Sequence, residues 1–373
     1  MPTEVVYGPD SLSQTGVEAK RLGMSKPLVV TDAGVKGSGL LDPAFDALKA
    51  AGIAFEVYDQ APTDPDTQTI AQVAGVLKGA GCDGVITAGG GSGLCTGKGA
   101  ALMATNKGNI RDHAGLDMFE NPPLPIIAIP TTAGSGSDVS KVTVITDEST
   151  HRKITIIGYF NAPRVAILDP VVLRSVPKGQ AVASGVDALT HALEAYVSSR
   201  ATPLTDAIAL DAFETIAHDI CPSILGGDRE AQERILLAAS MANIACGNAG
   251  LGLVHAVNGA LTWLYKSRGY TPVAYGMLHA ILLPPVLEFN LYACERKFAS
   301  LGLAMGVGDE TWSQADLAWG TIDRIKELLI ALDAPRRLPW DKVPAEDWKA
   351  VAEFVAGHGI MFANPRQFTE ADL

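Results

Sequence analysis

The chain has 373 residues, of which 47% are hydrophobic and 19% charged, with a formal net charge of −12. That length accommodates two domains of roughly 100–200 residues each, and the apolar content argues against a disordered chain. The acidic balance, with no Lys/Arg block, argues against nucleic acid as a partner.

The first residues, MPTEVVYGPDSL, have no basic stretch leading into an apolar run, so no secretory leader is expected. No apolar run approaches the ~18 residues of a membrane span. Five cysteines, at 82, 95, 221, 246 and 294, are scattered without a CxxC pair and read as reduced thiols. A cytoplasmic enzyme that engages no membrane is the expectation. Strand-like runs then alternate with helical ones: PLVVTD (27–32), AFEVYD (54–59), a helix over 66–80, CDGVITAGGGSG (82–93) and a helix over 94–105. LPIIAIPTTAGSGSD (124–138), KVTVITD (141–147) and RVAILDP (164–170) follow. Such alternation predicts βαβ units and a mostly parallel sheet. After Pro170 the texture turns Ala/Leu-rich with apolar spacings of three and four, as in 202–220 and 228–246, which predicts helices. The expected domains are 1–170, α/β and nucleotide-binding, and 171–373, all-α.

GGGSG (89–93) stands where a strand ends and a helix begins, a place where backbone N–H groups and the helix dipole favour an anion. It is neither GxGxxG, since position 94 is leucine, nor a Walker A loop, since Lys98 precedes Gly99. Alone it fits a phosphate cradle or a tight turn equally well, with Ser92 and Lys98 available to a phosphate. Asp32, ending the strand 27–32, suits a ribose diol and disfavours a 2′-phosphate. PTTAGSGSD (130–138) is a second loop of small hydroxyl and glycine residues after a buried-type strand. Two such loops on one sheet favour nucleotide binding.

In the helical half, VDALTHALEAY (186–196) places Asp187 and His191 one helical turn apart on one face. That spacing serves a surface ion pair or two ligands of one metal. The small neighbours Ala183, Gly185, Ala188 and Ala192 suit an interior site. His255 and His279 lie in apolar stretches, each either a core histidine or a further ligand. A carboxylate with imidazoles from separate helices suits Fe2+ or Zn2+.

Taken in order, GGGSG…TGK (89–98), the segments 122–153, ASGVDALTHALEAYVS (183–198), GLGLVHA (250–256), AILLPPVLEFN (280–290) and the ending NPRQFTEADL resemble the iron-containing, or group III, alcohol dehydrogenases across nearly the whole chain. The resemblance implies a dehydroquinate-synthase-like architecture, an α/β nucleotide-binding domain followed by an all-α domain. It implies that Gly90, Gly91 and Ser92 hold a pyrophosphate. Thr131, Thr132 and Ser135 would lie beside the nicotinamide half, and Asp32 would favour NAD over NADP. Asp187, His191 and His255 match three of four metal ligands. Tyr275 stands where the fourth, a histidine, belongs, and His279 follows one turn later; Gly259 replaces a second histidine of the family and Cys95 an aspartate. Tyr275 and His279 are therefore the candidates for completing the metal shell or carrying the proton. The implied reaction is hydride transfer between NAD and a small alcohol or aldehyde whose oxygen a divalent metal polarises, in a homodimer or larger homo-oligomer. The departures keep two alternatives open: a metal-independent reductase of an oxo acid, resembling maleylacetate reductases, and an inactive NAD-binding homologue. Lys266 and Arg268 are candidates to meet an anionic substrate.

Overall fold

Short runs of Val, Ile and Ala make the strands of the first half because such side chains fill a pleated surface buried on both faces. In the computed structural model, which describes residues 2–357 and 363–372, the chain divides into two units, Met1–Val176 and Pro177–Leu373. The first runs β1 (Glu4–Tyr7), α1 (Thr15–Arg21), β2 (Pro27–Val30), α2 (Ala33–Gly37), α3 (Asp42–Ala50), β3 (Glu56–Tyr58), α4 (Thr67–Gly79), β4 (Gly84–Gly89) and α5 (Gly91–Thr105). It continues with β5 (Gly115–Leu116), β6 (Ile126–Pro130), β7 (Val142–Asp147), β8 (Arg152–Ile157) and β9 (Val165–Leu168). Six strands form one parallel sheet in the order β1-β9-β6-β4-β2-β3. Its inner strands β2, β4, β6 and β9 are buried at every residue, which is why they read as unbroken apolar runs.

The chain leaves β2 for β3 on one side and returns to β4 on the other. The carboxyl ends of β2 and β4 therefore flank a topological switch point, where open α/β sheets bind ligands. One departure from simple βαβ alternation is the antiparallel pair β7–β8, which with β5 makes a separate three-stranded sheet. The sequence reading has no strand at 152–157, because RKITII is largely exposed or half-buried and shows no unbroken apolar run. At the reversal His151, a non-glycine residue, adopts the left-handed region at φ 57°.

Helix α5 lies so close to β4 that a Cβ at Gly97 would sit 2.4 Å from Thr87 Cβ and Oγ1. Gly97→Ala is expected to destabilise the unit by about 1–3 kcal/mol through overpacking, read as a lower midpoint in thermal or urea unfolding.

Among its described residues the second unit has helices and no strand: α6 (Lys178–Val197), α7 (Pro203–Leu225), α8 (Arg229–Ala249), α9 (Leu253–Arg268), α10 (Tyr275–Asn290), α11 (Glu295–Ala304), α12 (Gln314–Ala331) and α13 (Ala345–Ala356). Local signals set the ends. Asp228 caps α8 by accepting from the N–H groups of Glu230 and Ala231, Thr202 and Thr205 form a reciprocal cap on α7, and Gly269 closes α9 in the left-handed region at φ 73°. Helix α6 is buried continuously from Val182 to Val197, with α7, α8 and α10 packed against it. Among the described residues no single helix is long and apolar enough to cross a membrane.

Candidate active site

In the first unit, the residues expected to meet a nucleotide gather at the switch point. Asp32 caps α2, its Oδ1 accepting the Val35 N–H at 2.9 Å. A Cβ built on Gly89 would lie 3.9 Å from its Oδ2, so the carboxylate borders the glycine loop. Gly90 caps α5 without any side-chain hydrogen bond, which leaves the opening N–H groups of a 15-residue helix to another acceptor. Side chains at 90 and 91 are barred by the second loop: a Cβ at Gly90 would be 3.3 Å from Thr132 Oγ1, and one at Gly91 3.0 Å from Ser135 Oγ. Asp32, Gly90, Gly91, Ser92, Thr132 and Ser135 thus share one rim. Thr131 is buried, and its N–H donates to the Gly89 carbonyl at 2.9 Å, joining the two loops.

Lys98 does not join them. It is fully buried and its Nζ donates to the carbonyls of Ser137, Ser140 and Val142 at 3.1, 2.7 and 2.7 Å. Burial pulls its ammonium down to about 8, and its task is to pin the 137–142 segment to α5. It lies two helical turns beyond Gly91, on the side of α5 that faces this segment.

In the second unit, α6 carries Asp187, His191 and Glu194, α9 carries His255, and α10 carries Tyr275 and His279. Three imidazoles converge on one oxygen. Asp187 Oδ1 lies 3.0 Å from His279 Nδ1, 3.8 Å from His255 Nε2 and 3.9 Å from His191 Nε2. The His191 and His255 rings stack at 4.7 Å, and His255 and His279 stand 4.4 Å apart. Ligand atoms of Asp187, His255 and His279 all fall within 4.8 Å of one another. Close packing brings them there: a Cβ on Gly276 would be 1.9 Å from the Ala183 carbonyl oxygen, so α10 crosses α6 at backbone contact. Asn258 of α9 donates to the Tyr275 carbonyl at 2.8 Å, tying α9 to the start of α10.

The polar atoms at this centre lack the bonds that burial requires. Asp187 Oδ1, His255 Nε2 and both ring nitrogens of His279 are buried and have no hydrogen-bond partner among the described residues. Four such atoms in one place are costly without an occupant, at about 1–3 kcal/mol each, and carboxylate oxygen with imidazole nitrogen is the donor set of a divalent transition metal. The residues fit a metal. Burial would raise the Asp187 carboxyl, but His191, His279 and His255 outweigh it and hold it well below the usual carboxylate range. Glu194, likewise opposed by burial, is lowered by His255 and by the N–H groups of Gly252 and Val254. Burial, with the charges of Asp187 and Glu194 adding, pushes the Cys246 thiol up, so it stays a protonated and inert thiol.

Of the residues expected from sequence, Asp187, His191 and His255 lie together, and His279 lies with them. Tyr275 stands at the edge, 42% exposed, its ring 4.9 Å edge-on from His279 and 6.5 Å from His255. Arg268 is paired with Asp347 at 3.0 Å. Glu194, on the same helix, was given no task from sequence. Its seven-residue spacing from Asp187, two turns along α6, was the available signal.

A model of the iron-containing alcohol dehydrogenases matches residues 2–170, and one of the C-terminal part of the Fe-containing alcohol dehydrogenase family matches residues 181–373. The chain belongs to the iron-containing alcohol dehydrogenase family, a family of oxidoreductases. It is similar to the 1,3-propanediol dehydrogenase of Citrobacter freundii, at 35% identity over all of this chain and 96% of that protein. It is also similar to the NAD-dependent methanol dehydrogenase of Bacillus methanolicus, at 33% identity over 100% and 97% of the two chains. Among solved structures, an alcohol dehydrogenase from Oenococcus oeni superposes with a TM-score of 0.93 at 34% identity, covering 100% of this chain and 96% of that one.

Proposed function

We propose that the protein is an NAD-dependent oxidoreductase that interconverts a small alcohol and its aldehyde with a divalent metal, Fe2+ or Zn2+, held by Asp187, His191, His255 and His279. The observation that carries this reading is the set of buried, unpartnered ligand atoms on Asp187, His255 and His279, drawn from three helices. Relatives named as an NAD-dependent methanol dehydrogenase and a 1,3-propanediol dehydrogenase support the substrate class.

When bound, such a metal supplies Lewis-acid polarisation of a substrate oxygen, and the nicotinamide supplies or accepts hydride. The chain's own residues do the rest. The N–H groups opening α5, at Gly91 and Ser92, hold the pyrophosphate, with Gly90 keeping the approach clear. Asp32 accepts from the ribose hydroxyls and repels a 2′-phosphate, which favours NAD over NADP. Thr132 and Ser135 border the same rim, and Thr131 braces it. Tyr275, exposed beside His279, offers a hydroxyl to carry the proton between substrate and water. His279, assigned here to the metal, leaves that duty to Tyr275. The protein works as a homodimer or larger homo-oligomer in the cytoplasm, in keeping with its five free cysteines.

A metal-independent oxo-acid reductase would want a free cation for the carboxylate, and Arg268 is engaged by Asp347. An inactive homologue would keep the unpartnered ligand atoms for no return. Elemental analysis of the purified protein is expected to find about one Fe or Zn per chain, as for a single donor set. Asp187→Ala should lose the metal along with alcohol-dependent reduction of NAD, and undiminished NAD turnover in a protein free of metal would overturn the reading.

A further inference from the structure

We infer that Glu194 is a positioning residue for the metal centre: it fixes which nitrogen of His255 faces the metal, and it supplies the second of two negative charges that match a divalent ion. This rests on the metal reading above. Glu194 is 3% exposed and lies two helical turns beyond Asp187 on α6. Its Oε2 accepts from His255 Nδ1 at 2.7 Å and from the Gly252 N–H at 2.9 Å, and its Oε1 accepts from the Val254 N–H at 2.7 Å.

An ionised carboxylate only accepts, so His255 Nδ1 must carry the proton and donate. In the neutral ring Nε2 then presents its lone pair, and Nε2 is the atom 3.8 Å from Asp187 Oδ1 that has no hydrogen-bond partner. A carboxylate behind a ligating imidazole orients the ring and raises its basicity. Glu194 is not itself a ligand, because two backbone N–H groups at the start of α9 already hold it in place. Asp187 and Glu194 together bring two negative charges to a buried space otherwise lined by imidazoles, and a divalent cation neutralises that pair. The two backbone contacts cap α9, so the helix bearing His255 is anchored by the group that sets its tautomer.

A second cap on α9 separates the two roles. Asn364 Oδ1 accepts from the Leu253 N–H at 3.1 Å and exchanges hydrogen bonds with Asn290 at the end of α10, with no bond to His255. The test compares metal-stripped full-length wild type, Glu194→Gln and Asn364→Ala by competition titration of Zn2+ and Co2+ against a chelator, with the melting temperature of each metal-free protein. Glu194→Gln is expected to weaken both metals by at least about 10-fold, the usual loss when a group behind a metal ligand is removed. Asn364→Ala is expected to lower the melting temperature while leaving affinity within about 3-fold, below that range. A Glu194→Gln protein that melts lower but binds both metals as tightly as wild type would reduce Glu194 to a helix cap and overturn the inference. A wild type that binds neither metal would overturn the metal reading itself, and this inference with it. Should Glu194→Gln fail to fold, 15N-histidine spectra of the metal-free wild type decide, with His255 assigned by its absence from a His255→Gln sample. A proton on Nδ1 is expected, and one on Nε2 overturns the inference.

Discussion

Replacing His279 by alanine is expected to strip the centre of metal and lower turnover by at least about 100-fold, whereas Tyr275→Phe should keep the metal and slow the reaction. The two side chains lie one turn apart on α10, yet their surroundings differ. His279 is fully buried, its Nδ1 3.0 Å from Asp187 Oδ1 and both ring nitrogens unpartnered, while Tyr275 is 42% exposed. Losing one donor from a buried set leaves the other polar atoms to face an incomplete shell, which costs affinity directly. A phenol that moves a proton has a different signature: its loss costs about 10²–10⁴ in rate, the range of general acid–base catalysis, with binding of the metal intact. Elemental analysis beside steady-state kinetics separates the cases. Metal retained in His279→Ala and lost in Tyr275→Phe would invert the assignment of ligand and proton carrier.

The pairing of Asp187 with His191 is visible in sequence because a helix repeats every 3.6 residues, and four positions bring two side chains to one face. What sequence withholds is burial. The same spacing serves a solvated ion pair, and only the packing of α7, α8 and α10 around α6 makes it an interior site. His279 stays ambiguous in sequence for a related reason, since MLHAILL also reads as a core helix, and the choice is made only where Gly276 lets α10 touch Ala183. Glu194 depends on a contact with His255 across 61 positions of chain, which no local period encodes. The glycine loop is more legible because its pattern is local: glycines between a strand and a helix stay adjacent whatever the tertiary packing. Lys98 shows the limit of that legibility, for a charged residue near a glycine loop suggests phosphate, and the 137–142 segment packed against α5 takes it up with three carbonyls instead. The parallel sheet was legible from its unbroken apolar runs, and β8 was not, because its pattern of burial follows the small sheet's exposed face.

Gly276→Ala is expected to be among the most damaging single-methyl changes in the chain, to stability and to metal binding together. The added Cβ would fall 1.9 Å from the carbonyl oxygen of Ala183, a backbone atom in the middle of a buried helix that no rotamer change can move aside. Helix α10 must therefore retreat from α6, and overpacking of this kind costs about 1–3 kcal/mol or more. Ala183 lies one turn before Asp187, and Gly276 lies three residues before His279, so the retreat acts almost directly on the 3.0 Å approach of those two side chains. Metal affinity should fall by at least about 10-fold, the loss seen when a ligand's support is disturbed. Gly75→Ala is the matched control: an exposed glycine inside α4 whose added Cβ would meet nothing within 4 Å. It should leave metal affinity unchanged and raise stability by about 0.5–1 kcal/mol, the ordinary gain of alanine over glycine in a helix. Thermal unfolding of metal-free and metal-loaded samples, with chelator titrations of both variants, reads the two effects separately. If Gly276→Ala melts lower yet binds metal as wild type does, the contact at Ala183 supports the fold without setting the distance between Asp187 and His279.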